Sequence, residues 1–274
     1  MRIERQAIAF ACEGEWLYGV LDLPLAPVTR GVLVVVGGPQ YRAGSHRQFT
    51  QLARSLAGEG VAVMRFDLRG MGDSEGDIRH FSDVNNDIHA AITTFLARVH
   101  GIEELLLCGL CDGAAAAALY APRDSRVTGV IMLNPWLRTD TGAALATLKH
   151  YYPARLLAPD FWHKILTRRF IYAAAAGSFR QLVAHVAARP VKGELPERMR
   201  DSLYRFTGKV LIILGAADLT AQEFASTASQ PAWKTLMRAQ RVKVHTIAQA
   251  DHTFSRPDWH EQVTALTVQF AAGK

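Results

Sequence analysis

The stretch 104–120 constrains the fold most, because an apolar run turns there directly into a run of helix-forming residues. Leucines and a cysteine fill 105–108, and alanines dominate 114–120. Between them, 109–113 reads Gly-Leu-Cys-Asp-Gly. A strand that turns at once into a helix strains its central residue, and the neighbours two positions away must lack a Cβ. The pattern therefore predicts that Cys111 stands at the carboxyl end of a sheet strand, over the N-terminus of a helix.

This position favours chemistry at the Cys111 sulfur, because a helix N-terminus stabilises the negative charge of a thiolate. Two other interpretations stay open at this point. Cys108 and Cys111 form a Cys-x-x-Cys pair between a predicted strand and a predicted helix, which is also the arrangement of thioredoxin-like dithiol sites. Alternatively, both are ordinary core cysteines, a residue type that is commonly buried.

Strands alternate with helices over most of the chain, as judged from continuous apolar runs and from apolar residues at helical spacing. The predicted strands are 3–12, 16–23, 31–36, 61–66, 105–108, 127–133, 209–214 and 241–247, and the predicted helices besides 114–120 are 45–59, 82–99, 222–239 and 257–270. The first two strands predict an antiparallel hairpin at a sheet edge. The alternation predicts an α/β fold, with a mostly parallel eight-stranded sheet and helices on both faces.

Segment 136–206 interrupts the alternation and divides the chain into a core, 1–135 and 207–274, and an insertion. The insertion is helical in character and rich in aromatic residues and prolines. It follows the carboxyl end of a strand, where ligands bind in open α/β sheets, so we expect it to form a lid over the site. It carries 12 Lys and Arg against 5 Asp and Glu, whereas the rest of the chain carries 19 against 20.

Composition excludes several other classes of protein. Nucleic acid is a conceivable partner for the basic insertion, but no helix-turn-helix, zinc-finger or aromatic RNA-binding signature accompanies it, so we expect none. No apolar run approaches the roughly 20 residues of a membrane span, and the N-terminus lacks a signal-peptide pattern. Three cysteines do not make a disulfide framework. We expect a cytoplasmic protein without a metal or cofactor, and the sequence leaves its oligomeric state open.

Two residues that follow later strands complete a candidate catalytic set with Cys111. Asp218 follows the strand that ends at residue 214, and His252 follows the strand that ends at residue 247. A thiolate nucleophile needs a base, and the base needs an orienting group. The order Cys111, Asp218, His252 therefore predicts a triad, although Asp218 alone also fits a helix-capping role. Asp140, after the preceding strand, is the alternative acid.

Acyl transfer also requires two N–H donors that stabilise the oxyanion of the tetrahedral intermediate. One predicted donor is the backbone N–H of Asp112, at the start of the helix that follows the nucleophile. The other is the backbone N–H of Gly38, in the loop after strand 31–36. Pro39 has no N–H to donate.

The chain resembles the α/β-hydrolases along nearly its whole length. Residues 36–39 read Val-Gly-Gly-Pro and resemble the His-Gly-Gly-Pro oxyanion motif of that superfamily, with valine in place of histidine. Residues 67–74 read Asp-Leu-Arg-Gly-Met-Gly-Asp-Ser and resemble its Asp-x-Arg-Gly-x-Gly-x-Ser loop. The resemblance implies the α/β-hydrolase fold, with a cysteine nucleophile like that of dienelactone hydrolases.

More narrowly, three segments are similar to the exosortase-associated hydrolases, which are encoded beside bacterial exopolysaccharide and protein-sorting genes. These segments are 37–41, 45–49 and 109–113. Gln40 and Arg47 lie within them and are candidate substrate-binding residues. The further candidates Trp136 and Arg138 open the insertion.

These features predict an acyl hydrolase or acyltransferase. Thiolate is a good leaving group, so the site suits thioesters, enol esters and lactones better than amides. We expect a small-molecule acyl substrate, anionic or carrier-bound if the insertion's arginines, Arg138, Arg155, Arg168 and Arg169, face the cavity. A basic surface that only meets solvent is equally compatible. The alternatives are a non-catalytic binding protein on the same fold and a dithiol redox protein that uses Cys108 and Cys111.

Overall fold

One eight-stranded sheet forms the centre of the described chain and carries the candidate residues Cys111, Asp218 and His252 after its strands. The structure, a computed structural model, describes residues 3–37, 40–137 and 194–273. The strands are β1 (Ile3–Cys12), β2 (Glu15–Pro24), β3 (Arg30–Val35), β4 (Ala62–Phe66), β5 (Glu104–Leu110), β6 (Val127–Leu133), β7 (Lys209–Gly215) and β8 (Val242–Ile247). Their order is β1-β2-β4-β3-β5-β6-β7-β8. β2 runs antiparallel to β1 and β4, and the later pairs are parallel, which confirms the predicted mostly parallel sheet.

Helices cover both faces of this sheet, as predicted. In the described ranges they are α1 (Gln48–Gly58), α2 (Asn85–Arg98), α3 (Asp112–Tyr120), α4 (Leu195–Arg205), α5 (Leu219–Ala228), α6 (Pro231–Met237) and α7 (Pro257–Ala272). α1 and α7 bury apolar side chains in the core on one face, together with alternate residues of β3 and β5. The other helices contribute to the core on the opposite face. The central strands are consequently buried on both sides, which explains their continuous apolar runs.

The prediction of a single helix over 222–239 was wrong. α5 begins earlier, at Leu219, and ends at Ala228, and α6 begins at Pro231. The break has a local cause, because proline lacks the N–H that would continue α5 but fits the first turn of a new helix.

Only the two ends of the predicted insertion 136–206 fall within the described residues. At its carboxyl end, α4 packs on α3 rather than standing apart from the core. Met199 and Leu203 of α4 are buried, and the Ser202 hydroxyl donates a hydrogen bond to the Ala118 carbonyl oxygen at 2.8 Å. Residues 138–193 lie outside the described part, so the lid and the domain boundaries stay predictions.

The described helices are all too short or too polar to cross a membrane.

Candidate active site

Cys111 occupies the sharp turn between β5 and α3, with a backbone φ of 58° and ψ of −122°. A Cβ on Gly109 would collide with the backbone of Gly113, and a Cβ on Gly113 would lie 2.5 Å from the Val35 carbonyl oxygen. Only glycine therefore permits this close approach, which is the reason that the sequence pattern suggested. The turn holds the side chain of Cys111 at the carboxyl edge of the sheet.

Backbone hydrogen bonds fix Cys111 in this conformation. Its N–H donates to the carbonyl oxygen of Leu133 at 2.9 Å. Its own carbonyl oxygen accepts from the N–H of Ala115 at 3.1 Å and from that of Trp136 at 3.0 Å. The strained backbone of Cys111 is thus held by three hydrogen bonds, one each to β6, to α3 and to the segment that follows β6.

Cys108 and Cys111 lie in different environments. Cys108 is fully buried in the sheet interior, and desolvation raises the pKa of its thiol to about 12. Cys111 is partly exposed, and both thiols are free. Dithiol exchange proceeds through the thiolate, and burial keeps the Cys108 thiol protonated, so the environment of Cys108 disfavours that interpretation.

The structure brings the side chains of Asp218 and His252 together. His252 Nδ1 lies 3.0 Å from Asp218 Oδ2. The same carboxylate oxygen accepts a hydrogen bond from the Ala221 N–H at 3.0 Å and caps the N-terminus of α5. Asp218 therefore both caps α5 and pairs with His252, the two roles that its position in the sequence suggested.

His252 also contacts the nucleophile candidate. A hydrogen bond to Asp218 is the main cause that raises the pKa of His252 to about 10, and a hydrogen bond to Cys111 is the second cause. Partial burial opposes both and is outweighed. At neutral pH the imidazole therefore holds its proton and presents a positive charge to the Cys111 sulfur.

Asn134 is a residue of the site that sequence reasoning missed. Its buried side chain donates from Nδ2 to the His252 carbonyl oxygen at 2.9 Å and accepts at Oδ1 from the Gly215 N–H at 2.7 Å. It thereby joins the loops after β7 and β8 to the end of β6. Its φ of 41° is left-handed, a conformation that asparagine tolerates. The only sequence signal was an asparagine, followed by proline, directly after the predicted strand 127–133.

The loop that carries His252 is held by its own aspartate. Asp251 Oδ1 accepts from the backbone N–H groups of Thr253 and Ser255, at 3.1 and 3.0 Å. A Cβ on Gly215 would lie 2.7 Å from the Ala250 carbonyl oxygen, so the loops after β7 and β8 touch. Contact between these loops places Asp218 beside His252.

The predicted oxyanion donors can be located only in part. Asp112 is the first residue of α3, and its N–H belongs to the helix end rather than to the helix interior. The loop after β3 passes directly over that end, because a Cβ on Gly37 would collide with the backbone N of Gly113. Gly38 lies outside the described residues. Both donors therefore stay predictions.

Asp67 of the 67–74 motif anchors the chain that follows this loop. Its buried carboxylate forms an ion pair with the Arg42 guanidinium and accepts from the Arg42 backbone N–H at 2.6 Å. Arg42 also pairs with Asp73 at 2.8 Å. This anchor holds the segment beyond Pro39 in a chain that lacks the histidine of the related oxyanion motif.

The described candidates for substrate binding differ in how they lie relative to Cys111. The backbone of Trp136 bonds to Cys111, and its ring is partly buried against the core. Gln40 is half-buried, and within the described chain its Oε1 has no hydrogen-bond partner. Arg47 is exposed with a φ of 61°, just before α1, and no described contact joins it to Cys111. Arg138 lies outside the described residues, as do Arg155, Arg168 and Arg169.

One family model matches the chain over residues 28–255, that of the serine aminopeptidases, S33. The match begins two residues before β3 and ends in the loop that carries His252, and thus includes all three triad candidates. None of the curated proteins matches the chain by sequence.

Many solved structures share the architecture. An esterase from Pyrococcus furiosus is 16% identical over 98% of this chain and 90% of its own, with a TM-score of 0.66. A dienelactone hydrolase from Anabaena variabilis is 14% identical over 98% and 97%, with a TM-score of 0.64. The alpha/beta hydrolase GrgF from a Penicillium species is 14% identical over 99% and 100%, also with a TM-score of 0.64. At such identities the likeness shows the fold, and it confirms the predicted α/β-hydrolase architecture.

Proposed function

Because the chain belongs to the serine aminopeptidase S33 family of hydrolases, we propose that it hydrolyses activated esters or thioesters with the Cys111 thiol as nucleophile. One observation carries the proposal: Cys111, His252 and Asp218 form a hydrogen-bonded row at the sheet edge. In this row a cysteine stands where the family's name implies a serine. The protonated His252 stabilises the thiolate form of the nucleophile, as cations beside cysteines do.

In the first half of the reaction, the Cys111 thiolate attacks the acyl carbonyl carbon, and the carbonyl electrons move onto oxygen. The N–H groups of Asp112 and Gly38 stabilise this oxyanion. The intermediate then collapses, the bond to the leaving group breaks, and His252 donates its proton to the departing oxygen or sulfur. The products are an acyl-enzyme on Cys111 and a free alcohol or thiol.

In the second half, the neutral His252 removes a proton from water as the water oxygen attacks the acyl carbon. Collapse of this second intermediate expels the Cys111 thiolate and releases the carboxylic acid. His252 is again protonated, so the row returns to its starting state. Asp218 keeps the imidazole oriented throughout and stabilises its charge. An alcohol that replaces the water would give acyl transfer.

The chemistry of sulfur sets the substrate class. From a tetrahedral intermediate, thiolate leaves more readily than an amine or an unactivated alkoxide, so intermediates formed from amides tend to revert. Thioesters, enol esters and lactones have leaving groups that compete with thiolate. The folds shared with an esterase and a dienelactone hydrolase are compatible with this class.

Two finer features of the substrate belong to the same proposal. The resemblance of 37–41, 45–49 and 109–113 to exosortase-associated hydrolases suggests a role beside exopolysaccharide or protein-sorting systems. The basic excess of the insertion suggests an anionic or carrier-bound acyl group. That excess falls entirely on 138–193, which holds 9 basic against 2 acidic residues. A thioester with a phosphate group should lose kcat/KM as salt rises, because salt screens exposed charges, whereas a neutral p-nitrophenyl ester should not.

The proposal is tested by steady-state kinetics on p-nitrophenyl esters and acyl thioesters with three proteins. Wild type should turn over both, and Cys111→Ala should lose activity on both. Cys108→Ala is the matched control, since it removes the buried thiol and should leave kcat/KM within about three-fold of wild type. Equal losses in the two variants would favour the dithiol alternative. Activity that survives Cys111→Ala would refute the nucleophile.

A further inference from the structure

A cavity of about 530 Å³ lies between the start of α2, the end of α3 and α4, and we name it the arginine cavity. Arg123, from the turn after α3, and Arg198 and Arg205, from α4, all line it. Leu119 also lines it and lies about two turns of α3 beyond Cys111, a distance of about 12 Å along the helix. The reaction described above therefore does not use this cavity.

The sequence of α4 explains how its two arginines reach the same cavity. Positions 198, 201 and 205 are three and four residues apart, so their side chains lie on one face of the helix. The neighbouring face packs on α3, with Met199 and Leu203 buried and the Ser202 hydroxyl bonded to a carbonyl oxygen of α3. This packing holds the arginine-bearing face of α4 beside the end of α3, where Arg123 lies.

Two carboxylates beside these arginines are already paired with other residues. Asp124, next to Arg123, accepts hydrogen bonds from Arg126 Nε at 2.9 Å and from Arg126 Nη2 at 2.6 Å. Asp201, the one carboxylate of the described lining, pairs with Arg200 at 2.8 Å. Within the described residues, none of the three lining arginines forms an ion pair, and all three are exposed to solvent. Their guanidinium groups are therefore accessible to a ligand.

Three guanidinium groups around one cavity favour a ligand with several anionic oxygens. The planar guanidinium fork matches phosphate in a bidentate manner, and a phosphate monoester has enough oxygens to accept from more than one arginine. The half-buried side-chain amide of Asn85 adds a neutral donor to the same wall. A lone phosphate is much smaller than the cavity, and the Tyr204 ring, 44% exposed, together with Leu119 offers an apolar surface to an organic group.

We infer that the arginine cavity binds a small organic phosphate monoester. The phosphate lies among the guanidinium groups of Arg123, Arg198 and Arg205, and the organic group lies against Tyr204. This is a second binding site of the protein, apart from Cys111, so the inference does not rest on the proposed function.

The experiment is isothermal titration calorimetry with phenyl phosphate as the probe, made at low salt on wild type and on Cys111→Ala. Both proteins should bind one molecule with the same Kd. Benzoate, which carries one charge and two oxygens, and phenol, which carries no charge, should bind about ten-fold more weakly or not at all. Added potassium chloride should weaken the binding of phenyl phosphate, because salt screens exposed charges.

Three variants locate the binding. Arg198→Gln and Arg123→Gln each remove one guanidinium group and should raise Kd about ten-fold or more, the effect of a lost charged hydrogen bond. Both side chains are exposed and make no hydrogen bond within the described residues, so both variants should fold. Arg54→Gln is the matched control, because Arg54 is an exposed arginine of α1 outside the cavity, and its Kd should stay at the wild-type value.

Several results would overturn the inference. These are the absence of phenyl phosphate binding to wild type, an unchanged Kd in Arg198→Gln and Arg123→Gln, and an equal loss in Arg54→Gln, which would indicate attraction to the overall positive charge alone. Arginine-dependent binding to phosphatidate vesicles without binding of phenyl phosphate would overturn it too, in favour of a membrane surface. Because Cys111→Ala should bind like wild type, esterase activity can fail while phenyl phosphate binds, and the reverse.

Discussion

The charged residues between β1, β2 and β4 and those at the ends of β5, β7 and β8 are paired in different ways. In the first group, which we name the edge cluster, the buried Asp22 accepts hydrogen bonds from Arg5 Nε at 2.7 Å and from Arg65 Nη2 at 2.9 Å. In the second, the proposed catalytic row, Asp218 holds His252, whose side chain is 35% exposed and whose other partner is the Cys111 thiol.

The chemistry of the paired groups separates structural charges from reactive ones. The edge cluster pairs a carboxylate with two guanidinium groups that never lose their protons, so it can only stabilise the fold. The proposed catalytic row instead places a partly exposed thiol beside an imidazole, the side chain that most readily exchanges protons near neutral pH. Substitutions in the two groups should therefore change different quantities: stability in the first and turnover in the second.

The largest effect is expected from Asp218→Asn. Asparagine caps helices as well as aspartate, so α5 should keep its cap and the melting temperature should change little. The imidazolium, however, loses its counter-charge and its correct orientation, so kcat should fall by roughly 10²- to 10⁴-fold. Steady-state kinetics and thermal unfolding of the same sample measure both. Unchanged kcat, or activity lost only in proportion to unfolding, would contradict the assignment of Asp218 to the row.

The opposite pattern is expected from Asp22→Ala in the edge cluster. It leaves the buried Arg65 without its carboxylate, and removal of one partner from a buried pair costs roughly 3–5 kcal/mol of unfolding free energy. Denaturant unfolding measures this loss, while kcat per folded molecule should persist. Asp258→Ala is the control, because Asp258 pairs with Arg256 on the surface and the cost should stay below about 1 kcal/mol. Similar losses in the two variants would refute the distinction.

A smaller effect is expected from Asn134→Ala, which should lower both stability and turnover. Loss of its bonds to Gly215 and His252 should lower the unfolding free energy by about 1–3 kcal/mol. It should also loosen the His252 loop and lower kcat more than it raises KM. Asn86→Ala, at an exposed side chain that bonds Glu13, is the control and should leave both unchanged. A loss of stability with full kcat would limit Asn134 to a structural role.

The smallest effect concerns the pH dependence of stability. The pKa of His252 is raised from an ordinary 6.5 to about 10, so the protonated form is favoured in the folded state. The stabilisation that this shift adds to the unfolding free energy is complete below pH 6.5 and is lost as pH rises through about 10. The difference in unfolding free energy between wild type and His252→Gln should shrink over that interval. A difference that grows with pH would show that the folded state favours neutral His252.

Much of the fold could be predicted because it depends on local patterns. Apolar runs identified the strands, and the spacing of glycines around Cys111 identified the strained turn before its geometry was known. The order of Cys111, Asp218 and His252 after β5, β7 and β8 was also readable, since parallel strands end at one edge. The prediction of one helix over 222–239 was wrong because its apolar spacing continues past Pro231, where the chain ends one helix and begins another.

Asn134 and Arg42 could not be predicted, and the reason is physical. Each acts through side-chain bonds to residues that are distant in sequence, Asn134 to the loop of His252 and Arg42 to Asp67. Such bonds leave no periodic signal, because their geometry exists only after the sheet has brought the loops together.

Trapping the acyl-enzyme tests most directly whether Cys111 is the nucleophile. Wild-type protein is mixed with p-nitrophenyl acetate, quenched in acid within milliseconds, and analysed by intact mass and peptide mapping. We expect one acetyl group on the peptide that contains Cys111, with none on Cys108 and none in Cys111→Ala. An acetyl group on another residue, or continued turnover by Cys111→Ala, would contradict the claim that Cys111 is the nucleophile.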